Sequence, residues 1–336
     1  MPRRGPRKPP RVVASEPGSL RAWAARHTEW ALSKNYSERT IEGWSRNLGY
    51  FFSWAEARDV TRPQQVTRPI LERYMRHLFH LRKPDGKPLS FPAQLGRITP
   101  IRAFFRWLTR QNVLLSNPAS DLDMPRVEHR LPKAVLTANE AERVMIQPDV
   151  RTSLGLRDRA MLEVLYSTGM RRAELANLGV YDLDIDRGTL MIRQGKGKRD
   201  RMVPIGERAI AWVDRYLSDV RPGIVVPPDP GTLFLTYLGE PFTLMVLTAV
   251  VRKYIEAADI GKHGACHLFR HTAATLMLEN GADIRYVQEL LGHAKLTTTQ
   301  VYTHVSIRKL KQVHTETHPA AKLERRPRGE DPDPKP

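Results

Sequence analysis

The chain has 336 residues, enough for two ordinary domains. Its one cysteine, Cys266, excludes an internal disulfide framework, and no apolar run nears the roughly 18 residues that a bilayer span requires. The 54 Lys and Arg against 36 Asp and Glu give a net charge of +18, and about +13 remains without Arg3, Arg4, Arg7, Lys8 and Arg11. A surface this basic points to a polyanionic partner, nucleic acid before an acidic membrane surface. The first eleven residues lack the apolar stretch of a secretory signal, so a cytoplasmic protein is expected.

Residues 1–18, rich in Pro and Arg, read as a flexible basic tail. Residues 19–116 then carry helical periodicity throughout. Trp23, Ala24, His27, Trp30 and Ala31 mark a first helix. Ile41, Trp44, Leu48, Phe51, Phe52 and Ala55 mark a longer second one with Ser37 as its N-cap. Ile70, Tyr74, Leu78 and Leu81 give a third, closed by the turn-rich Lys83-Pro-Asp-Gly-Lys-Pro88. Ser90 starts a fourth, carrying Leu95, Ile98, Ile101, Phe104, Phe105 and Leu108, in which Pro100 predicts a kink. These four helices form an all-α module.

Residues 117–132, bracketed by prolines and containing Arg126, His129 and Arg130, read as a basic linker to a second domain, 133–316. Its signals are mixed. Thr137-Ala-Asn-Glu140 is a capping box opening one helix, and Leu156 to Ser167 makes another. Residues 181–188, Thr189-Leu-Met-Ile192 and Arg201-Met-Val-Pro204 read as short strands and turns, with Leu233-Phe-Leu235 a further strand candidate. Thr243 to Ala258 is helical, and helices dominate again from His267. The expected fold is mainly α with a small antiparallel sheet in the second domain. Residues 317–336 read as a disordered tail.

Five residues stand out chemically: Arg171, His267, Arg270, His293 and Tyr302. His267 and Arg270 share one face at the start of a helix, whose N–H groups and dipole favour a phosphate. Gly281 ends that helix and Asp283 opens the next, which Gly292 closes as a C-cap, leaving His293 in a turn. Thr297 or Thr298 caps a short helix carrying Tyr302. Each residue alone is an ordinary structural side chain. His263, His267 and His271 beside Cys266 raise a metal site as a competing idea, but Gly261 and Gly264 argue against one helix through His263. No metal and no cofactor are expected.

In order along the chain stand Ser167-Thr-Gly-Met-Arg171-Arg-Ala-Glu174-Leu, Gln194-Gly-Lys196-Gly-Lys-Arg199, His267-Leu-Phe-Arg270-His, Leu291-Gly-His293 and Tyr302-Thr-His-Val305. Together they resemble the tyrosine recombinase, or lambda-integrase, family. Arg130-Leu-Pro-Lys133, Asn280-Gly-Ala-Asp283 and residues 290–302 are most similar to its Xer group (XerC/XerD-like). The resemblance covers about residues 19–316. Arg172 departs from it, standing where the Xer pattern has a small apolar residue.

The resemblance implies a SAM-like core-binding domain followed by a catalytic domain, clamping double-stranded DNA from opposite sides. Tyr302 would be the nucleophile, forming a 3′-phosphotyrosine. Arg171, Arg270 and His293 would stabilise the transition state, Lys196 would protonate the leaving 5′-oxygen, and His267 would assist at the tyrosine hydroxyl. Glu174 would orient a neighbour. Lys198 stands two residues from Lys196 as an alternative acid. Also implied are a tetramer on an inverted-repeat site, a Holliday junction, nucleoid association, and a C-terminal helix (Val305, Ile307, Leu310, Val313) packing on a neighbour or on its own domain. The alternatives are a type IB topoisomerase and a DNA-binding protein without catalysis. A chromosomal Xer role and a mobile-element integrase remain equally open, as do the target DNA sequence and the base-contacting residues.

Overall fold

The computed structural model describes residues 16–126, 134–193 and 200–292. The chain divides into two compact units, Met1–His129 and Arg130–Pro336. Within the first, the four expected helices are α1 (Leu20–Ser33), α2 (Glu38–Glu56), α3 (Arg68–His80) and α4 (Phe91–Arg110). Ser37 caps α2, its Oγ accepting from the Thr40 backbone N–H at 3.3 Å. Each helix turns apolar residues inward, and the core is rich in aromatic side chains. Phe51, Phe104 and Phe105 are fully buried, and Phe104 lies edge-on to His27, Phe52 and Phe105.

α4 runs as one helix through the buried Pro100, where proline leaves the Gly96 carbonyl without its i+4 donor. One expectation changes. Ala119 and Leu122 are buried in this same core and Met124 packs against it, so the core extends beyond Asn117. Apolar burial, not the Asn117-Pro118 punctuation, sets that extent. Linker residues 127–132 lie outside the described residues.

The second unit is built around α6 (Ser153–Thr168), which is buried along most of its length. It follows α5 (Ala138–Met145), opened by the Thr137/Glu140 capping box. Burial on all sides forces the charges of α6 to find partners. Arg157 donates to Asp158 and to the Leu235 carbonyl, and Asp158 accepts from the Tyr254 hydroxyl at 2.7 Å. Glu163 accepts from Arg159 and from Arg208. After α6 come α7 (Arg172–Ala176) and an antiparallel sheet of β1 (Leu183–Asp184), β2 (Thr189–Ile192) and β3 (Arg201–Pro204) in the order β1-β2-β3. The β2–β3 register pairs Ile192 with Arg201.

α8 (Glu207–Asp219) falls in a stretch with no expected element, although Ala209, Val213 and Tyr216 recur at helical spacing on its buried face. It packs on α6 and leads into the short α9 (Arg221–Ile224). Leu233–Leu235 is not a strand. The Leu233 N–H donates to the Leu178 carbonyl and the Leu235 N–H to the Tyr216 hydroxyl, so its backbone is satisfied without a neighbouring strand. α10 (Leu244–Ala257), α11 (Cys266–Glu279) and α12 (Ile284–Leu291) complete the unit. Among the described residues no helix is long and apolar enough to cross a membrane.

The aromatic core of the first unit sets a testable energy. Phe104→Ala is expected to cost about 3–5 kcal/mol, the usual penalty for emptying a fully buried aromatic site. Urea unfolding followed by tryptophan emission reads it, because five of the six tryptophans lie in this unit. A loss below about 1 kcal/mol would mean the site refills.

Candidate active site

α6 ends at Gly169, whose φ of +59° is the left-handed conformation that closes a helix with least strain in glycine. A Cβ there would also stand 2.9 Å from the Leu291 side chain, so Gly169 lets the ends of α6 and α12 approach. Two residues on, Arg171 is the N-cap of α7. Glu174 sits in the first turn, and its Oε2 accepts from the Arg171 backbone N–H at 2.8 Å. Its Oε1 accepts from Arg171 Nη1, also at 2.8 Å. The other arm of that guanidinium, Nη2, donates to the Gly292 carbonyl at 2.8 Å.

Arg270 comes from α11 and is buried. Its Nη1 donates to the Gly169 carbonyl at 2.8 Å and its Nη2 to the Leu291 carbonyl at 2.7 Å. Arg171 and Arg270 therefore hold adjacent carbonyls of one turn, that of Gly292, whose φ of +61° bears out the expected C-cap. Three helix ends, those of α6, α7 and α12, meet here through two guanidiniums, and the Arg171 bond to Gly292 spans 121 residues.

A third guanidinium was not foreseen. Arg201, the first residue of β3, forks onto Glu174, with Nη1 to Oε1 at 2.9 Å and Nη2 to Oε2 at 2.8 Å, while its Nε donates to the Leu290 carbonyl at 3.1 Å. A Cβ on Gly292 would lie about 3.0 Å from the Arg201 side chain, so glycine is needed for that passage. Burial alone would raise the Glu174 carboxyl. The Arg201 fork and the Arg171 hydrogen bonds outweigh it and hold the group at about 2.

His267 lies in the first turn of α11, exposed on the side facing solvent. Desolvation, then the charges of Arg270, Arg172 and Arg171, hold it below the ordinary imidazole value, so it is neutral at neutral pH. Arg172 is tied to the Thr248 hydroxyl at 2.6 Å. Cys266 is buried, its thiol pushed up to about 11 by that burial. Among the described residues no three His, Cys, Asp or Glu side chains gather to hold a metal ion. The structure thus brings together Arg171, Glu174 and Arg270 and adds Arg201. The expected site residues Lys196, His293 and Tyr302 lie outside the described residues.

One buried carboxylate serving two arginines makes acid stability a direct probe. Glu174 is depressed, so its contribution is fully present above its ordinary 4.5 and is lost as pH falls toward about 2. Over that window wild type is expected to lose on the order of 3 kcal/mol more unfolding free energy than Glu174→Gln, which has no carboxyl to protonate. Urea titrations at stepped pH measure the difference, and parallel curves would contradict the ion-pair geometry.

Buried and half-buried guanidiniums converging beside a helix N-terminus with a neutral imidazole suit a phosphate that gains charge during reaction. The comparisons agree. The family model described as the phage integrase family matches residues 134–308. Tyrosine recombinase XerC 2 of Ralstonia nicotianae is 49% identical over 294 residues, covering 88% of this chain and 84% of that protein. The fold is shared with XerH site-specific recombinase bound to a palindromic difH substrate in a post-cleavage complex (TM-score 0.67, 21% identity, 87% of this chain and 83% of that one). It is shared also with a lambda integrase tetramer bound to a Holliday junction (TM-score 0.62, 17% identity, 89% and 81%). With more than half its length matched by the family model and so similar a relative over most of its residues, the chain belongs to the phage integrase family and is a tyrosine site-specific recombinase.

Proposed function

We propose that the protein cuts and rejoins double-stranded DNA at an inverted-repeat site, as a tetramer that passes through a Holliday junction. The observation that carries this reading is the Arg171–Glu174–Arg201 cluster with Arg270, a rigid cationic site closed around the turn that leads to His293. The palindromic difH substrate bound by XerH and the Holliday junction bound by the lambda integrase tetramer support it. Likeness across both units favours recombination over simple relaxation. A protein of this kind works on the nucleoid in the cytoplasm.

In the reaction, the Tyr302 oxygen attacks the scissile phosphorus while its proton passes to His267. The P–O5′ bond breaks, and the departing oxygen takes a proton from Lys196. The enzyme then holds a 3′-phosphotyrosine, which keeps the bond energy without a nucleotide. Attack by a 5′-hydroxyl from the partner duplex reverses the steps and frees Tyr302. Arg171 and Arg270, joined by His293, meet the charge that grows on the non-bridging oxygens. Glu174 holds Arg171 in place. Residues 19–116 add phosphate contacts of their own, which weaken in salt. The segment after Tyr302 packs on a neighbouring protomer.

A nicked suicide duplex tests the chemistry, using an inverted-repeat site selected by binding from a randomised library. Wild type is expected to form a covalent adduct that maps to Tyr302, in EDTA as well as without it, and Tyr302→Phe is expected to form none. An adduct surviving that substitution would overturn the assignment. A 5′-bridging phosphorothiolate, whose sulfur leaves without a proton, separates the roles further. It is expected to restore Lys196→Ala to within roughly tenfold of wild type while leaving Arg171→Ala at least about a hundredfold down. Equal restoration would contradict the division between acid and charge clamp.

A further inference from the structure

We propose that Arg201 is a positioning residue for strand cleavage, which locks Glu174 and supplies its counter-charge so that the Arg171 guanidinium stays aimed at, and available to, the scissile phosphate. The proposal rests on the assignment of Arg171 to that phosphate. Its geometry lies wholly within the described residues.

A carboxylate bound only to Arg171 would compete with phosphate for that guanidinium. Each Glu174 oxygen instead takes one bond from the Arg201 fork and one from Arg171, through the side chain at Oε1 and the backbone at Oε2. The fork fixes the carboxylate plane, and Nε on the Leu290 carbonyl fixes the fork. The shared carboxylate is nearly inaccessible, with the Glu174 side chain 5% exposed and that of Arg201 13%. With both side chains in place little water reaches the carboxylate, so Arg201 rather than solvent is its second partner. Charge points the same way. Two guanidiniums, Arg171 and Arg201, on one carboxylate leave a net +1, and removing Arg201 leaves Glu174 to cancel the charge of Arg171.

Strand β3 itself does not need this side chain. Its four residues pair with β2 through the backbone, and Val203 is buried beneath it. Arg201 is also the point where the strand following the Lys196 segment meets the turn preceding His293. Lysine keeps the charge there but offers no planar fork.

The test uses the full chain on nicked suicide duplexes with either an ordinary scissile phosphate or a methylphosphonate, in which a methyl group replaces one non-bridging oxygen and removes the charge to be neutralised. Rates for each variant are compared with wild type on the same substrate. The ratio between substrates is taken on one preparation, so unfolded protein cancels. Arg201→Ala is expected to be slowed roughly tenfold or more on phosphate, to come within about threefold of wild type on methylphosphonate, and to be outpaced on phosphate by Arg201→Lys. Arg171→Ala is the control. If it shows no recovery on methylphosphonate, the assignment of Arg171 to the phosphate fails. If it recovers while Arg201→Ala is slowed equally on both substrates, or not slowed at all, the role of Arg201 fails.

Discussion

Glu174 lies where water does not reach, so its charge must be met by the protein, and the structure meets it with two arginines from separate parts of the chain. A buried carboxylate that lost either partner would carry a cost of several kcal/mol, about 3–5 for a typical broken buried pair. Satisfying it therefore fixes more than itself. It holds the first turn of α7 through the Arg171 backbone, the start of β3 through the Arg201 fork, and the last turn of α12 through the Leu290 and Gly292 carbonyls. These segments converge on one turn, and His293 follows it directly in sequence.

Arg270 solves its burial differently. It spends two donors on carbonyls, Gly169 and Leu291, which carry partial rather than full negative charge. The two positive-φ glycines make this crowding possible. Gly169 admits Leu291, and Gly292 admits Arg201. Behind them α6 is made rigid by ion pairs and hydrogen bonds satisfied on every side, so the cluster is held against a scaffold with little freedom to relax.

Much of this was legible because it is local. Capping boxes, N-caps and the αL glycine at 292 depend on residues within one turn, and Ser37, Thr137, Asp283 and Gly292 read correctly. Arg171 and Arg270 were singled out through motif order, and the structure brings both to adjacent carbonyls of one turn. Arg201 was not, because its meaning comes from contacts with Glu174, 27 residues away, and Leu290, 89 residues away. Only the strand register brings it there. Leu233–Leu235 misled for the converse reason: an apolar triplet has the composition of a strand, but its hydrogen-bond partners are a loop carbonyl and a tyrosine hydroxyl. The extension of the first core past Asn117 likewise depends on burial of Ala119 and Leu122 that turn residues at Asn117 do not report.

The same guanidiniums that suit the site to phosphate also govern His267. Besides partial desolvation, the charges of Arg270, Arg172 and Arg171 depress its proton affinity, leaving a neutral ring in the free enzyme. A neutral imidazole can accept a proton, as the proposed attack by Tyr302 requires, whereas a protonated one cannot. A phosphate held by Arg171 and Arg270 would offset their positive field at His267. The proton affinity of the imidazole would then rise once substrate is in place, and further as the transition state gathers charge. The base would be kept free of a proton while the site is empty and strengthened when one must be taken up. Arg201 enters this coupling through Glu174, because the carboxylate it shares would otherwise cancel part of the Arg171 field that both the phosphate and His267 experience.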